Sequence, residues 1–385
     1  MFHGKNLQVV RMLQGLSRKE LGEKLNVSEQ SIWQFEKQMI EPSFENILKM
    51  KDILQVRSDF FFEEFIVEQT FFETNVAYRK ADVSSRKKIN SEVVYLNVAA
   101  KMINYLESFV NVPPNTLLAL RKESFKWIND GGANAKIEAA AEQARRFLGI
   151  YQDNSNLLLS LEKSGIYVLE KNIGGKADAY SAWSTEDIPI IVLGIKKSAV
   201  RRNSDLAHEL GHLLLHAHVD FGVLDKTERQ LKEREADYFT SCFLLPNEII
   251  QSEYKQLKKI SNPDSYAPLK LKYNVSIQAL EMRAYKLGFL TPKQHSYFYR
   301  QIALRDYRQE EPLDKEITLK RPGKIRSIFN LILTNKLTDL QRIENEFKCQ
   351  RQLLEEMFSI EPAFFAPFEE QDKFTDLNNV LRVEF

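Results

Sequence analysis

The chain has 385 residues, 43% hydrophobic and 28% charged, with few glycines and prolines; this excludes the disordered and collagen-like classes and leaves room for two or three domains. A formal net charge of +1 gives no global field toward nucleic acid or membrane, so any DNA contact has to come from a local patch. Two distant cysteines, Cys242 and Cys349, exclude a disulfide framework and a cysteine zinc site; with no apolar run near 20 residues (about the length of a membrane span) and an N-terminus broken by charges, a cytoplasmic protein is expected.

Residues 5–62 read as short helices joined by tight turns. Apolar residues recur at three and four spacing: Leu7, Val10, Leu13; Leu21, Leu25; Ile32, Phe35; Ile47, Met50, Leu54. Ser17 followed by Glu20 predicts a capping box, Ser28 opens the next helix, and "EPS" at 41–43 ends that region and starts another. The stretch 78–90, "YRKADVSSRKKIN", is basic and polar and predicts a linker or exposed turn, whereas 93–110 has helical period. "NDGGANAK" at 129–136 is the strongest loop signal and marks a domain boundary, and 137–150 is built of strong helix formers.

Three strand-like runs come next, at 165–171, 178–183 and 188–194. A His-rich helix follows at about 203–217 and another helix at 225–246, ended by Pro246. Residues 272–294 predict a helix–turn–helix with Ser276 as cap. The last 75 residues read as helical, with the Phe-rich segment 358–368 as local core. The fold class expected is α+β. An all-α domain (1–65) leads through a helical connector (66–130) to an α/β domain with a small sheet (131–250). A helical extension (251–310) and a mainly helical C-terminal region (311–385) complete the chain.

"DLAHELGHLLLHAH", residues 205–218, holds four of the six histidines. His208 and His212 are spaced i, i+4, which sets both imidazoles on one helix face as two ligands of a tetrahedral zinc. Glu209, turned about 100° away, does not reach as a third ligand but does reach a metal-bound water as general base; this is the H-E-x-x-H arrangement. Gly211 costs about 1 kcal/mol relative to Ala in a helix, so its presence implies that something packs closely on that turn. His216 lies roughly 12 Å along the axis from His208 and reads, like His218, as a solvated residue near a helix C-terminus. His218 has the metzincin offset, but Leu215 stands where that signature needs Gly. Among the acids of "EREAD", Glu235 ranks first as third ligand, beside the small Ala236. Glu233 reads as solvated or supporting, and Asp237 as a group able to hold a ligand His by its other ring nitrogen.

"AHELGHLLLH" followed by "EREADYFTSCFLLP" resembles the ImmA/IrrE family of metallopeptidases, closely over 136–250 and loosely to about 310. The resemblance implies a gluzincin-like zinc site in a zincin-like domain, with His208, His212 and Glu235 as metal ligands and Glu209 as catalytic base. "NSDLAHE" departs from the family's more usual Thr-containing "FTLAHE". It also implies a narrow substrate, a transcriptional repressor cleaved under stress or induction, with mobile-element control or phage defence as settings.

The N-terminal stretch resembles the Xre/Cro-like helix–turn–helix, through Leu16-Ser17, Glu20-Leu21, Asn26-Val27-Ser28, Ile32, Glu36 and Pro42-Ser43. In such a motif the second helix enters the major groove by its first residues. That assigns Ser28, Gln30, Ser31 and Gln34 to base edges and Arg18, Lys19 and Lys37 to phosphates. Acids slightly outnumber bases between residues 1 and 65, so a protein-contact module is the competing role. The expected partners are a protein substrate of repressor type, DNA through the N-terminal domain, and a second copy of the chain as homodimer; no membrane is expected. The competing function is a non-catalytic DNA-binding regulator or antitoxin whose zinc only stabilises the fold. A peptide is expected to add as a strand beside 178–183 or 188–194, with Tyr180 or Tyr238 as oxyanion donor.

Overall fold

The computed structural model describes residues 1–78, 86–128, 134–172, 179–195 and 197–369. The N-terminal helices are α1 (Gly4–Leu13), α2 (Arg18–Leu25), α3 (Glu29–Glu36) and α4 (Phe44–Leu54), followed by a 3-10 turn at Ser58–Phe61. Hydroxyl caps set three of the starts. Ser17 and Glu20 close the capping box on α2, Ser28 accepts from the Ser31 amide on α3, and Ser43 accepts from the Asn46 amide on α4. Each satisfies an amide that the helix itself leaves open. Between α2 and α3 the chain turns through Asn26 in the left-handed region, φ 58°, which Asn visits more readily than most residues.

Strand β1 (Ala77–Tyr78) precedes the long helix α5 (Arg86–Glu107). The linker expected over 78–90 is therefore helical from Arg86 onward, while 79–85 lie outside the described residues. Polarity misled that expectation: Lys, Arg and Glu are good helix formers, and no Gly or Pro interrupts 86–107. Helices α6 (Leu117–Ile128), α7 (Asn134–Phe147) and α8 (Leu157–Lys163) follow. Of the boundary expected at 129–136, residues 129–133 lie outside the described residues.

The strands β2 (Tyr167–Lys171), β3 (Ala179–Trp183) and β4 (Pro189–Gly194) fall within the three predicted runs. The sheet order is β1-β3-β4-β2, with β2 parallel to β4, and β3 antiparallel to both β4 and β1. Side-chain alternation splits the sheet between two cores. Tyr167, Leu169, Tyr180, Ala182, Ile190 and Val192 face the core built by α1–α5. Val168, Ala179, Trp183, Ile191 and Leu193 face the core built on α9 (Ala199–Leu215) and α10 (Lys226–Leu244). Burial on both faces explains the near-continuous apolar runs of β3 and β4.

Beyond α10 come α11 (Asn247–Gln256), α12 (Ala267–Tyr273), α13 (Ile277–Lys286) and α14 (Pro292–Leu304). The expected cap holds: Ser276 accepts from the Ala279 amide at the start of α13. The last helices, α15 (Lys324–Thr334), α16 (Leu340–Phe347) and α17 (Arg351–Phe358), return to the first core, where Phe329, Phe347, Leu354 and Phe365 are buried beside residues of α1–α5. The five segments expected from sequence thus meet in two cores, residues 2–106 with 325–365 in one and 117–302 in the other, with the sheet between them. The class is α+β. Among the described residues no helix is long and apolar enough to cross a membrane.

Candidate metal centre

Helix α9 starts four residues earlier than its pattern suggested, at Ala199, and packs against β3, β4 and α10. Its apolar side and its histidines are both buried; His208, Glu209 and His212 are each at most 3% exposed. Gly211 has the expected reason: a Cβ there would stand 3.1 Å from the Phe239 ring and 3.5 Å from the Ala236 Cα. The small residues bring α9 and α10 together, and this carries the acids of α10 to the histidines.

His208 Nε2 and His212 Nε2 lie 3.1 Å apart. Glu233 closes the triangle, with one carboxylate oxygen 3.5 Å from His208 Nε2 and the other 3.3 Å from His212 Nε2. Two of these distances fall on, and the His–His separation lies slightly below, the edges of about 3.3–3.6 Å of a zinc tetrahedron with bonds of about 2.0–2.2 Å. His208, His212 and Glu233 can bring one donor atom each within 4.8 Å of one another. The acid at the histidine pair is therefore Glu233 rather than the expected Glu235. Glu235 sits two residues on, about 200° around α10, and its carboxylate takes His216 Nε2 at 2.8 Å and Lys232 at 3.0 Å.

His216 also differs from expectation. It is 2% exposed, because i, i+4 from His212 keeps it on the buried face, where its Nδ1 lies 3.0 Å from His212 Nδ1. His218 is exposed, as expected. Asp237 stands 3.0 Å from His208 Nδ1, close enough to pair with that nitrogen although the contact lacks hydrogen-bond geometry.

Glu209 faces a different neighbour. Its Oε2 accepts from the Ser181 hydroxyl at 2.7 Å, and its Oε1 is buried with no hydrogen-bond partner. An orphaned carboxylate oxygen beside a tetrahedral donor set fits a site meant to hold a metal and a water. Burial pushes the Glu209 carboxyl above the ordinary carboxylate range, against the opposing pull of His212, His208 and Ser181. Burial acts the same way on Glu233, but the hydrogen bonds and charges of His208 and His212 outweigh it and hold that carboxyl at about 2. Burial lowers His216 to about 4 in spite of Glu235, so His216 is a neutral imidazole at pH 7.

Ser181 escaped the sequence reading. The available signal was a lone hydroxyl in a strand otherwise made of buried apolar and aromatic residues, on the face that alternation assigns to α9. Neither tyrosine considered as oxyanion donor is free for that role. The Tyr180 hydroxyl donates to Glu92 at 2.5 Å on the opposite face of the sheet, and that of Tyr238 lies against Glu138 at 3.4 Å. The strand edge is also partly closed. β4 is interior, and β1 pairs Ala77 with Ser181 and Tyr78 with Tyr180.

In the N-terminal domain, Gln30 and Lys37 are exposed and Gln34 is half-buried on α3. Ser28 and Ser31 are tied into the cap, their hydroxyls 2.8 Å apart. Lys19 is exposed, 4.0 Å from Glu23. Arg18 is committed to Glu36 at 2.6 Å, as is Arg11 at 2.5 Å. The Glu36 side chain is fully buried, so the two guanidiniums neutralise it.

Comparison with protein families agrees with this anatomy. Residues 161–285 match the family model Peptidase_M78, the IrrE N-terminal-like domain. Residues 7–61 match the helix-turn-helix model HTH_3. No curated protein matches the chain. The chain thus carries a segment similar to the helix-turn-helix model near its N-terminus and a segment similar to the IrrE N-terminal-like domain of Peptidase_M78 in its middle.

Proposed function

We propose that this protein is a cytoplasmic zinc-dependent endopeptidase that cleaves a transcriptional repressor of helix–turn–helix type and so derepresses stress, mobile-element or defence genes. The observation that carries the hydrolase reading is the triangle of buried His208 and His212 with half-buried Glu233, beside the unpartnered Oε1 of Glu209. His208, His212 and Glu233 are the residues that would hold the ion, with Asp237 beside the other ring nitrogen of His208. Zinc supplies Lewis acidity at such a site and lets water ionise near neutral pH. Ser181 fixes one oxygen of Glu209 and leaves the other to take the proton of the attacking water. Glu209 then returns the proton to the leaving amine. A carboxylate raised by burial is suited to both transfers. A purely structural metal has no use for such a base. A substrate strand approaching β3 has to displace Ala77–Tyr78 or pair beyond them.

The substrate class rests on the family resemblance and on the helix–turn–helix domain within the chain itself. The test is co-expression with a candidate substrate, a helix–turn–helix repressor encoded by a neighbouring gene where one is found. The wild type is expected to cut that repressor, whereas Glu209→Gln, which keeps the side chain's size, should bind zinc and capture the repressor uncut. Cleavage should fall about 10²–10⁴-fold, the usual worth of general acid–base catalysis. Equal cleavage by a zinc-loaded Glu209→Gln sinks the hydrolase reading.

A further inference from the structure

The seam between the N-terminal domain and the C-terminal helices is built on an internal two-fold. Val56, just past α4, forms an antiparallel bridge with Cys349, just past α16. The flanking backbone bonds are reciprocal: the Arg57 amide donates to the Lys348 carbonyl at 2.8 Å, and the Gln350 amide donates to the Gln55 carbonyl at 2.9 Å.

Any antiparallel bridge has that local symmetry. Here it extends outward into both segments. Gln55 and Lys348 each cap their helix in the left-handed region, with φ 57° and 49°. At one constant numbering offset, Met50 and Leu54 correspond to Ile343 and Phe347, and Phe60 and Phe61 correspond to Leu353 and Leu354; all are buried. The side chains across the seam are reciprocal at the same offset. Gln55 Nε2 donates to Glu356 at 2.7 Å, and Lys348 Nζ donates to Glu63 at 2.5 Å. Residue i of one segment meets j of the other while the equivalent of i meets the equivalent of j, which defines an isologous interface. The flanking elements differ: α16 is shorter than α4, and α17 stands where the N-terminal domain has a 3-10 turn.

We propose that residues 340–354 stand in for a second copy of the N-terminal domain. They cap a self-complementary face on that domain, centred on Val56, that fits another chain of the same kind. The proposal does not depend on the peptidase reading. Helix–turn–helix dimers offer two reading helices to half-sites one helical turn apart. The stand-in brings none: α15 packs on α5 and β2, and α17 packs on β2. The capped chain is therefore a monomer with a single reading helix, α3, matched to a single half-site.

The test is made on the full-length chain. Wild type should have the mass of one chain, 44.9 kDa, across the concentration range. Residues 56 and 349 are a non-hydrogen-bonded pair, whose Cα atoms lie about 4.5 Å apart, within disulfide range. Val56→Cys treated with diamide should therefore close an intrachain bond to Cys349. Cys349→Asp puts a charge into the seam and should free the face. Combined with Val56→Cys it should give, under diamide, a covalent dimer of doubled mass that reductant reverses, because a true two-fold sets residue 56 against residue 56 of the second copy. Should circular dichroism show loss of helix in that pair, Val56→Cys with Cys349→Ser is read in its place. A folded double variant that stays uncrosslinked overturns the proposal, as does a wild type already dimeric through Val56, seen as interchain bonding in Val56→Cys alone.

Discussion

The Ser181 hydroxyl donates to Glu209 Oε2 across 2.7 Å, from the middle of β3 to the helix that carries the histidines. The bond favours the ionised carboxylate and works against the burial that raises it. A general base has to be ionised to accept a proton, so activity falls as pH drops through its pKa. Ser181→Ala removes a lowering influence, and the Glu209 carboxyl rises further. The acid limb of kcat/KM should move to higher pH with zinc content unchanged. An acid limb that stays in place, or moves down, removes Ser181 from the proton-transfer machinery.

Metal content separates the two acids of α10. Glu233→Ala takes away one corner of the triangle with His208 and His212, and should lose zinc together with His208→Ala and His212→Ala. Glu235→Ala removes only the partner of His216 and Lys232, and should keep about one zinc per chain, the capacity of a single His₂Glu site. His218→Ala should also keep it. Elemental analysis of the purified variants decides. A zinc-free Glu235→Ala beside a zinc-loaded Glu233→Ala returns the third ligand to Glu235.

Which acid would meet the histidines was the least legible part of the site. His208 and His212 are four apart on one helix, so their geometry is local and readable from spacing. The acid arrives from a second helix, and its identity depends on the rotation of α10 about its own axis. "EREAD" contains acids on two sides of a helix, Glu233 and Asp237 on one and Glu235 on the other, and Ala236 next to Glu235 pointed to the side that meets His216. The reason for Ala236 is its approach to Gly211; that approach leaves Glu233, three residues before Ala236, against the histidine pair. The strands were legible because both sheet faces are buried and the runs are short and apolar. The burial of His216 is legible in its i, i+4 spacing from His212, although its place at the C-terminal end of α9 suggested solvent; its pairing with Glu235 is not, since that depends on the rotation of α10.

Gly211 sets the spacing of α9 and α10, and its substitution should report on that contact. A Cβ at this position meets the Phe239 ring at 3.1 Å, tighter than ordinary contact, so a methyl group forces a shift of a few tenths of an ångström. Ala gains about 1 kcal/mol over Gly in a helix interior, which offsets most of that cost. Gly211→Val adds two methyls with no such gain and should destabilise by about 1–3 kcal/mol through overpacking. Urea midpoints should rank Gly and Ala together and Val well below. A Val variant as stable as the parent shows that the two helices do not rest on this contact.

The phosphate-contact candidates divide by what the fold has already done with their charges. Lys37 is exposed at the C-cap of α3, with its ammonium available to a phosphate. Arg18 is not available in the same way, because its guanidinium is bonded to a Glu36 carboxylate that is itself buried. Releasing Arg18 to DNA would leave that carboxylate with Arg11 alone. Each phosphate contact contributes about 0.9 to the slope of log K against log salt on duplex DNA. If the domain reads the protein's own promoter, Lys37→Ala should lower the slope by about one at unchanged stability. Arg18→Ala should leave the slope unchanged while costing about 1.5–3 kcal/mol, the range for a hydrogen bond to a charged group. Gel shifts at several salt concentrations, read beside thermal melts, separate the two. A slope lowered by Arg18→Ala with no loss of stability means that Arg18 leaves Glu36 for the backbone when DNA is bound. A slope indifferent to Lys37 makes the domain a protein-contact module.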